Sequence, residues 1–250
     1  MKLPLDQKTV LVTAGARRVG AAICRRLHAA GARVMVHYLR SGKDARALVA
    51  ELNAHRAGSA AMVKADLLET GAPALLVKTT LHAFGRLDAL VNNASSFYPT
   101  PVGKLNEAAW QDLIGTNLKA PLFIAQAAAA ELKKRRGCIV NIVDIHAEFP
   151  LKDYVIYSIA KGGLAALTRS LARELAPKVR VNGVSPGPIL WPDSEIWKST
   201  KTRQAIVDRT LLKRTGEPDD IARAVEFLIT GAPYVTGQIL AVDGGRSISL

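Results

Sequence analysis

"TVLVTAGARRVGAAICRRLHAAG", residues 9–31, is the stretch on which the architecture turns. Residues 9–14 are apolar and β-branched enough for a buried strand. From Val19 onward the apolar side chains recur with helical spacing, and Gly31 stands where a helix C-cap glycine belongs. Between strand and helix, Gly15 and Gly20 permit close backbone approach, and the helix start offers its amides to a pyrophosphate. Only two glycines stand in this turn and the GxGxxG spacing is not met. An ordinary strand-to-helix turn therefore stays open as an alternative.

The same alternation continues along the chain. Further strand candidates are 33–38, 60–65, 87–93, 138–144, 179–185 and 238–243, separated by segments of helical periodicity. They are apolar nearly throughout, without in-out alternation, as expected of parallel strands covered on both faces. The expectation is an α/β fold: a Rossmann-type doubly wound parallel sheet of about seven strands with helices on both faces. No linker, repeat or low-complexity tract divides residues 1–250, so one nucleotide-binding domain is expected. The long irregular stretch "SPGPILWPDSEIWKST", 185–200, reads as a loop over a site.

Composition narrows the function classes. The chain has 49% apolar residues and no run long enough for a membrane span, and its N-terminus lacks a signal-peptide pattern. A cytoplasmic protein is expected. Cys24 and Cys138 lie far apart, and His28, His37, His55, His82 and His146 are scattered, so neither a disulfide framework nor a metal site is indicated. The net charge of +13 raises a nucleic-acid partner. However, the cations are dispersed, and the densest run, "KKRR" (133–136), looks like a solvated helix C-terminus. The surplus also suits a polyanionic cofactor. No nucleic acid is expected.

The end of the second strand, "HYLRSGKD" (37–44), bears on that cofactor. An NAD-preferring site carries an acid here for the ribose hydroxyls. This one has His37, Arg40 and Ser41, with no acid before Asp44. Arg40 offers a planar fork, Ser41 a hydroxyl donor and Arg18 a second guanidinium, a set suited to the 2′-phosphate of NADPH. The plain alternative is that Arg40 opens the next helix in solvent. Asp66, ending the third strand, could accept from an adenine amino group, and "NNA" (92–94) would lie along the adenine ribose.

Tyr157 and Lys161 stand at i and i+4 on one helix face, just after an apolar strand. A free tyrosine, with a pKa of about 10, is a poor proton donor at neutral pH. A neighbouring ammonium is expected to lower that value. With the glycine turn, "NNA" (92–94), Asn117 in "TNLKAP", "SPG" (185–187) and the closing "VTGQILAVDGG" (235–245), these residues make the chain resemble the short-chain dehydrogenase/reductase family over nearly its whole length. The resemblance implies a hydride taken from a nicotinamide and a proton given by Tyr157. It also implies that Lys161 holds the nicotinamide ribose and that Asn117 positions a water relay. Cofactor contacts would come from Gly15, Arg18, Val19, His37, Arg40, Ser41, Asp66, Leu67, Asn93, Ala94, Ser95, Tyr157, Lys161, Pro186, Gly187 and Ile189. A homotetramer is expected from the same resemblance.

Ordinary members carry a serine thirteen residues before the tyrosine; here that place is Asp144. An ionised carboxylate only accepts hydrogen bonds, so it suits an amino-substituted nitrogen heterocycle better than a carbonyl. The pteridine reductase branch is known for an aspartate here. That branch also shows an arginine in the glycine turn, HYxRS, and the unbroken "NNASSFYPTP" (92–101). By that resemblance Phe97 would stack on a pterin, Ser95 would touch pterin and cofactor, and Leu151, Tyr154 and Trp191 would line the pocket. The expected substrates are dihydropterins, oxidised pterins or dihydrofolate, with Tyr157 or Asp144 supplying the proton. Ala14 replaces the first glycine of the turn, and the loop from Ile189 to Ser199 matches poorly. Two alternatives stand: a carbonyl reductase acting on 3-oxoacyl thioesters, and a non-catalytic nucleic-acid or regulatory binder on the same scaffold. The bland reading of Asp144 is a strand-end residue capping local amides.

Overall fold

The computed structural model describes residues 4–192 and 195–249, so positions 193 and 194 of the expected loop lie outside the described residues. In chain order the principal elements are β1 (Thr9–Val12), α1 (Arg18–Ala29), β2 (Arg33–Tyr38), α2 (Gly42–His55), β3 (Ala60–Lys64), α3 (Ala72–Phe84) and β4 (Ala89–Asn92). There follow α4 (Glu107–Ile114), α5 (Ala120–Arg135), β5 (Cys138–Ile142), α6 (Val155–Leu175), β6 (Arg180–Pro186), α7 (Thr200–Asp208), α8 (Pro218–Thr230) and β7 (Ile239–Val242).

Each strand expected from the sequence is present, and all pair in parallel in the order β3-β2-β1-β4-β5-β6-β7. Most stop earlier than the apolar pattern does. The chain leaves the sheet there, so Thr13, Asn93 and Asp144 fall just beyond the strand ends. The order reverses between β1 and β4, which places a ligand crevice at the carboxyl ends of those two strands.

Successive residues of one strand face opposite layers. Val10, Val12, Val34 and Val36 join Ile23 and Leu27 of α1 and Val225 of α8 in one core. Leu11, Met35 and Leu90 join Leu76 of α3 and Ile124 and Leu132 of α5 in the other. That two-sided burial is why the strands read as unbroken apolar runs. Truncating one such residue, as in Ile124→Ala, costs about 2–5 kcal/mol. The "KKRR" run does end a helix: Lys133, Lys134 and Arg135 close α5, and Arg136 turns left-handed at φ 51°.

Candidate active site

The segment 92–101 reaches the site because the sheet and α6 hold its two ends. Thr13 Oγ1 accepts the N–H groups of Asn93 and Ala94 at 2.8 and 3.0 Å. At the far end Thr100 bridges to Tyr154, and its Oγ1 accepts the Ile156 N–H at the start of α6. This pinning sets Phe97 stacked on Tyr154 at 4.5 Å and edge-on to Tyr157 at 4.8 Å between ring centres.

Asn117 lies on a π-helical turn, Gly115–Lys119, inserted between α4 and α5. Such turns mark sites where helical spacing is broken to aim a side chain. Its Nδ2 donates to Leu113 O and Ser96 O, and its Oδ1 accepts the Ser95 hydroxyl at 2.7 Å. The turn sits close to α6 because Gly163 has no side chain: a Cβ there would lie 2.7 Å from Leu118.

Asp144 follows β5 and divides its oxygens between two duties. Oδ1 accepts the His146 N–H at 2.8 Å, capping a short 3-10 turn, and Oδ2 accepts the Tyr157 hydroxyl at 2.7 Å. Asp144 thus caps local amides and also holds the Tyr157 hydroxyl. Lys161, 2% exposed, donates from Nζ to Ile142 O at 2.9 Å and lies 5.7 Å from the Tyr157 ring centre.

The electrostatics differ from the expectation at Tyr157. Burial first, then the Asp144 charge and hydrogen bond, push its pKa well above the usual value, and the Ser95 hydroxyl opposes only in part. The expected lowering by Lys161 is not what this arrangement gives. Burial pushes Lys161 itself down to about 8, against the pull of Asp144. Burial, seconded by the Asp144 carboxylate, outweighs the lysine at the phenol.

At the other end the structure gives several of the expected residues partners within the protein. His37 is buried, with Nδ1 accepting the Ala14 N–H at 3.0 Å and Nε2 facing Ala65 O at 3.1 Å. The donor at Nδ1 fixes the proton on Nε2, and burial holds the ring below the usual histidine range. Its ring ties the first turn to β3 and has no nitrogen left for a phosphate. Arg18 donates from Nη2 to Leu190 O and Trp191 O, both at 3.2 Å, so it holds the loop over the cavity. Gly15 faces inward, where a Cβ would meet Cys24 Sγ at 2.9 Å, while Ala14 takes the left-handed conformation at φ 47°. That costs an alanine roughly 1 kcal/mol. Gly20 is required: its Cβ would fall 2.2 Å from Ala14 O.

One cavity of about 950 Å³ brings the two ends together. Its wall includes Arg18, Val19, His37, Arg40, Ser41, Asp66, Leu67, Asn93, Ala94 and Ser95 on one side of the crevice. Phe97, Asp144, Leu151, Tyr157, Lys161, Pro186, Gly187, Ile189 and Trp191 complete it. Three expected contacts are not in that wall. Gly15 packs inward, Tyr154 backs Phe97, and Asn117 is 0% exposed behind Ser95. Sequence reasoning missed Arg17, Asp112, Trp197 and Arg246, which do line it. Asp112 accepts from the hydroxyls of Ser96 and Thr116.

A family model described as enoyl-(acyl carrier protein) reductase matches residues 14–247. The chain is 38% identical to "Pteridine reductase 1" of Leishmania tarentolae, over 96% of each chain. It is 36% identical to a 3-oxoacyl-[acyl-carrier-protein] reductase of Synechocystis sp., over 96% of this chain and 97% of the relative. A counterpart of the same description from Staphylococcus aureus is 34% identical over 95% and 97%. The chain belongs to the short-chain dehydrogenase/reductase family, oxidoreductases that use a nicotinamide cofactor.

Proposed function

We propose that this chain is an NADPH-dependent pteridine reductase acting on dihydropterins, with oxidised pterins and dihydrofolate as further substrates. The observation that carries the reading is Asp144: a carboxylate at the cavity wall, bonded to the Tyr157 hydroxyl, where a carbonyl reductase needs a donor. The similarity to the Leishmania pteridine reductase supports it.

The residues present fit the cofactor. Arg40 and Ser41 follow β2 with no acid among residues 37–41, and Arg40 makes no ion pair among the described residues. Asp66 with Leu67 faces the adenine side, Asn93, Ala94 and Val19 the middle, and Pro186, Gly187 and Ile189 the nicotinamide side. NADPH supplies the hydride when bound. Lys161 uses one of its three donors on Ile142 O, which leaves two for ribose hydroxyls.

Proton handling follows from the Tyr157–Asp144 bond. In the free protein the hydroxyl donates to Oδ2, and the raised pKa keeps the phenol protonated. An amino-substituted heterocycle brings its own N–H donors to the carboxylate. Once these occupy Oδ2, Tyr157 is released to donate towards a ring nitrogen in the cavity. A ketone brings no donor, so Tyr157 would stay bonded to Asp144. Ser95, anchored by Asn117, stands beside this exchange, and Phe97 gives the ring a flat apolar face.

The expected homotetramer remains a proposal, supported by the exposed apolar edge strand β7, where Leu240 is 41% exposed. NADPH absorbance tests the substrate assignment with dihydrobiopterin, dihydrofolate and an acetoacetyl thioester. Dihydropterin turnover is expected to dominate; preferential turnover of the thioester would sink the reading.

A further inference from the structure

Among the described residues, four buried side-chain polar atoms have no hydrogen-bond partner: Thr9 Oγ1, Asn92 Oδ1, Trp197 Nε1 and Arg246 Nη1. Thr9 and Asn92 lie in the sheet. Trp197 and Arg246 both line the large cavity. An unpaired buried donor is costly, and more so on a charged group, so native structures rarely keep one without a reason.

Arg246 also lines a second cavity of about 360 Å³, with Lys201, Thr202, Ala205, Ile206 and Arg209. Ile206 and Arg246 belong to both walls, so the two spaces adjoin. The smaller wall holds three cations and no acid. Asp243 is the acid whose charge Arg246 feels; its two oxygens accept the N–H groups of Gly245 at 2.9 Å and Ser247 at 2.7 Å, and it forms no ion pair with Arg246 among the described residues. Burial, and next the neighbouring Arg209, lower the Arg246 pKa. Trp197, stacked on Trp191 at 6.0 Å between ring centres, adds an unpaired indole N–H to the large cavity's wall.

We propose that this annex is an anion subsite, in which Arg246, Arg209 and Lys201 receive a carboxylate or phosphate carried on the tail of the ring substrate. The identity of the ring rests on the pteridine reading; the charge of the tail does not. The subsite makes the enzyme discriminate between substrates by what they carry far from the reacting atoms.

The test compares wild type with Arg246→Gln and Arg209→Gln, using dihydrofolate, whose tail ends in carboxylates, and dihydrobiopterin, whose tail is neutral. Arg246→Gln is expected to lower kcat/KM for dihydrofolate roughly 10- to 100-fold more than for dihydrobiopterin, the range for a lost charge-assisted hydrogen bond. Arg209→Gln follows with a smaller selective loss. Equal effects on the two substrates would overturn the subsite. Calorimetric binding of p-aminobenzoyl-glutamate and of inorganic phosphate to the NADP⁺-saturated protein needs no turnover. Binding of either probe, weakened about tenfold in Arg246→Gln, supports the subsite, and the tighter probe names the tail. No binding of either overturns it. If wild type reduces neither pterin yet binds a probe in this way, the pteridine reading fails and the subsite stands.

Discussion

The two ends of the cavity are built on different principles. Around the first turn the charged groups are exposed: Arg17, Arg18 and Arg40 reach into solvent, and the Arg17–Asp44 pair is 3.9 Å apart. At the far end Tyr157 and Lys161 are buried, and Asp144 shares a 2.7 Å hydrogen bond with the phenol. Solvent screens the first set, so each charge there contributes modestly to affinity. Burial governs the second, raising the proton affinity of the tyrosine itself and adding to it the pull of one nearby carboxylate. On the proposed reading, affinity and cofactor choice belong to the wet end and reactivity to the dry end.

That contrast can be broken from either side. Tyr157→Phe is expected to lower kcat/KM about 10²- to 10⁴-fold while NADPH binding, followed by fluorescence quenching, changes little. A rate within a few-fold of wild type would remove the tyrosine from the proton path. At the wet end, Arg40→Ala is expected to lower the NADPH-over-NADH preference roughly tenfold without a matching fall in kcat. An unchanged preference would show that Arg40 only opens α2 in solvent.

A third, smaller effect concerns stability. Lys161 has a folded-state pKa of about 8 against an ordinary 10.5, so the unfolded chain binds more protons between those values. Its contribution to stability is therefore lowest below about pH 8 and rises towards pH 10.5. The Tm of wild type minus that of Lys161→Met should increase as pH is raised from 7 to 10. A flat difference would mean that the lysine is not desolvated. The smallest effect is expected at Arg18→Met, which loses two exposed 3.2 Å bonds to the loop. Faster proteolysis within 190–199 and a KM only a few-fold higher would match a screened interaction. A hundredfold loss would instead place Arg18 on the phosphate or the substrate.

The sequence disclosed most of this frame because burial on both faces writes itself as unbroken apolar runs. The inner strands were legible for that reason, the exposed edge strand β7 only by its apolar composition, and Asp144 because its oddity is chemical rather than geometric. Hidden were the features that depend on which way a side chain turns. His37 reads as a cofactor contact, and nothing in the sequence shows that both its nitrogens are bonded to Ala14 and Ala65. The π turn under Asn117 breaks the very periodicity by which helices are read, and the Ser96–Asp112 bond joins a loop to a helix with no local sequence signal. Arg246 follows a double glycine in the closing motif. Nothing in its neighbours announces that its guanidinium points inward.

The central claim is that Asp144 selects a nitrogen heterocycle over a ketone. It is tested most directly by the ratio of kcat/KM for dihydrobiopterin to that for an acetoacetyl thioester, in wild type and in Asp144→Ser. The account predicts a ratio that favours the pterin in wild type and falls by roughly 100-fold or more in the variant, about the cost of a lost charged hydrogen bond. A ratio that survives the substitution unchanged would contradict it.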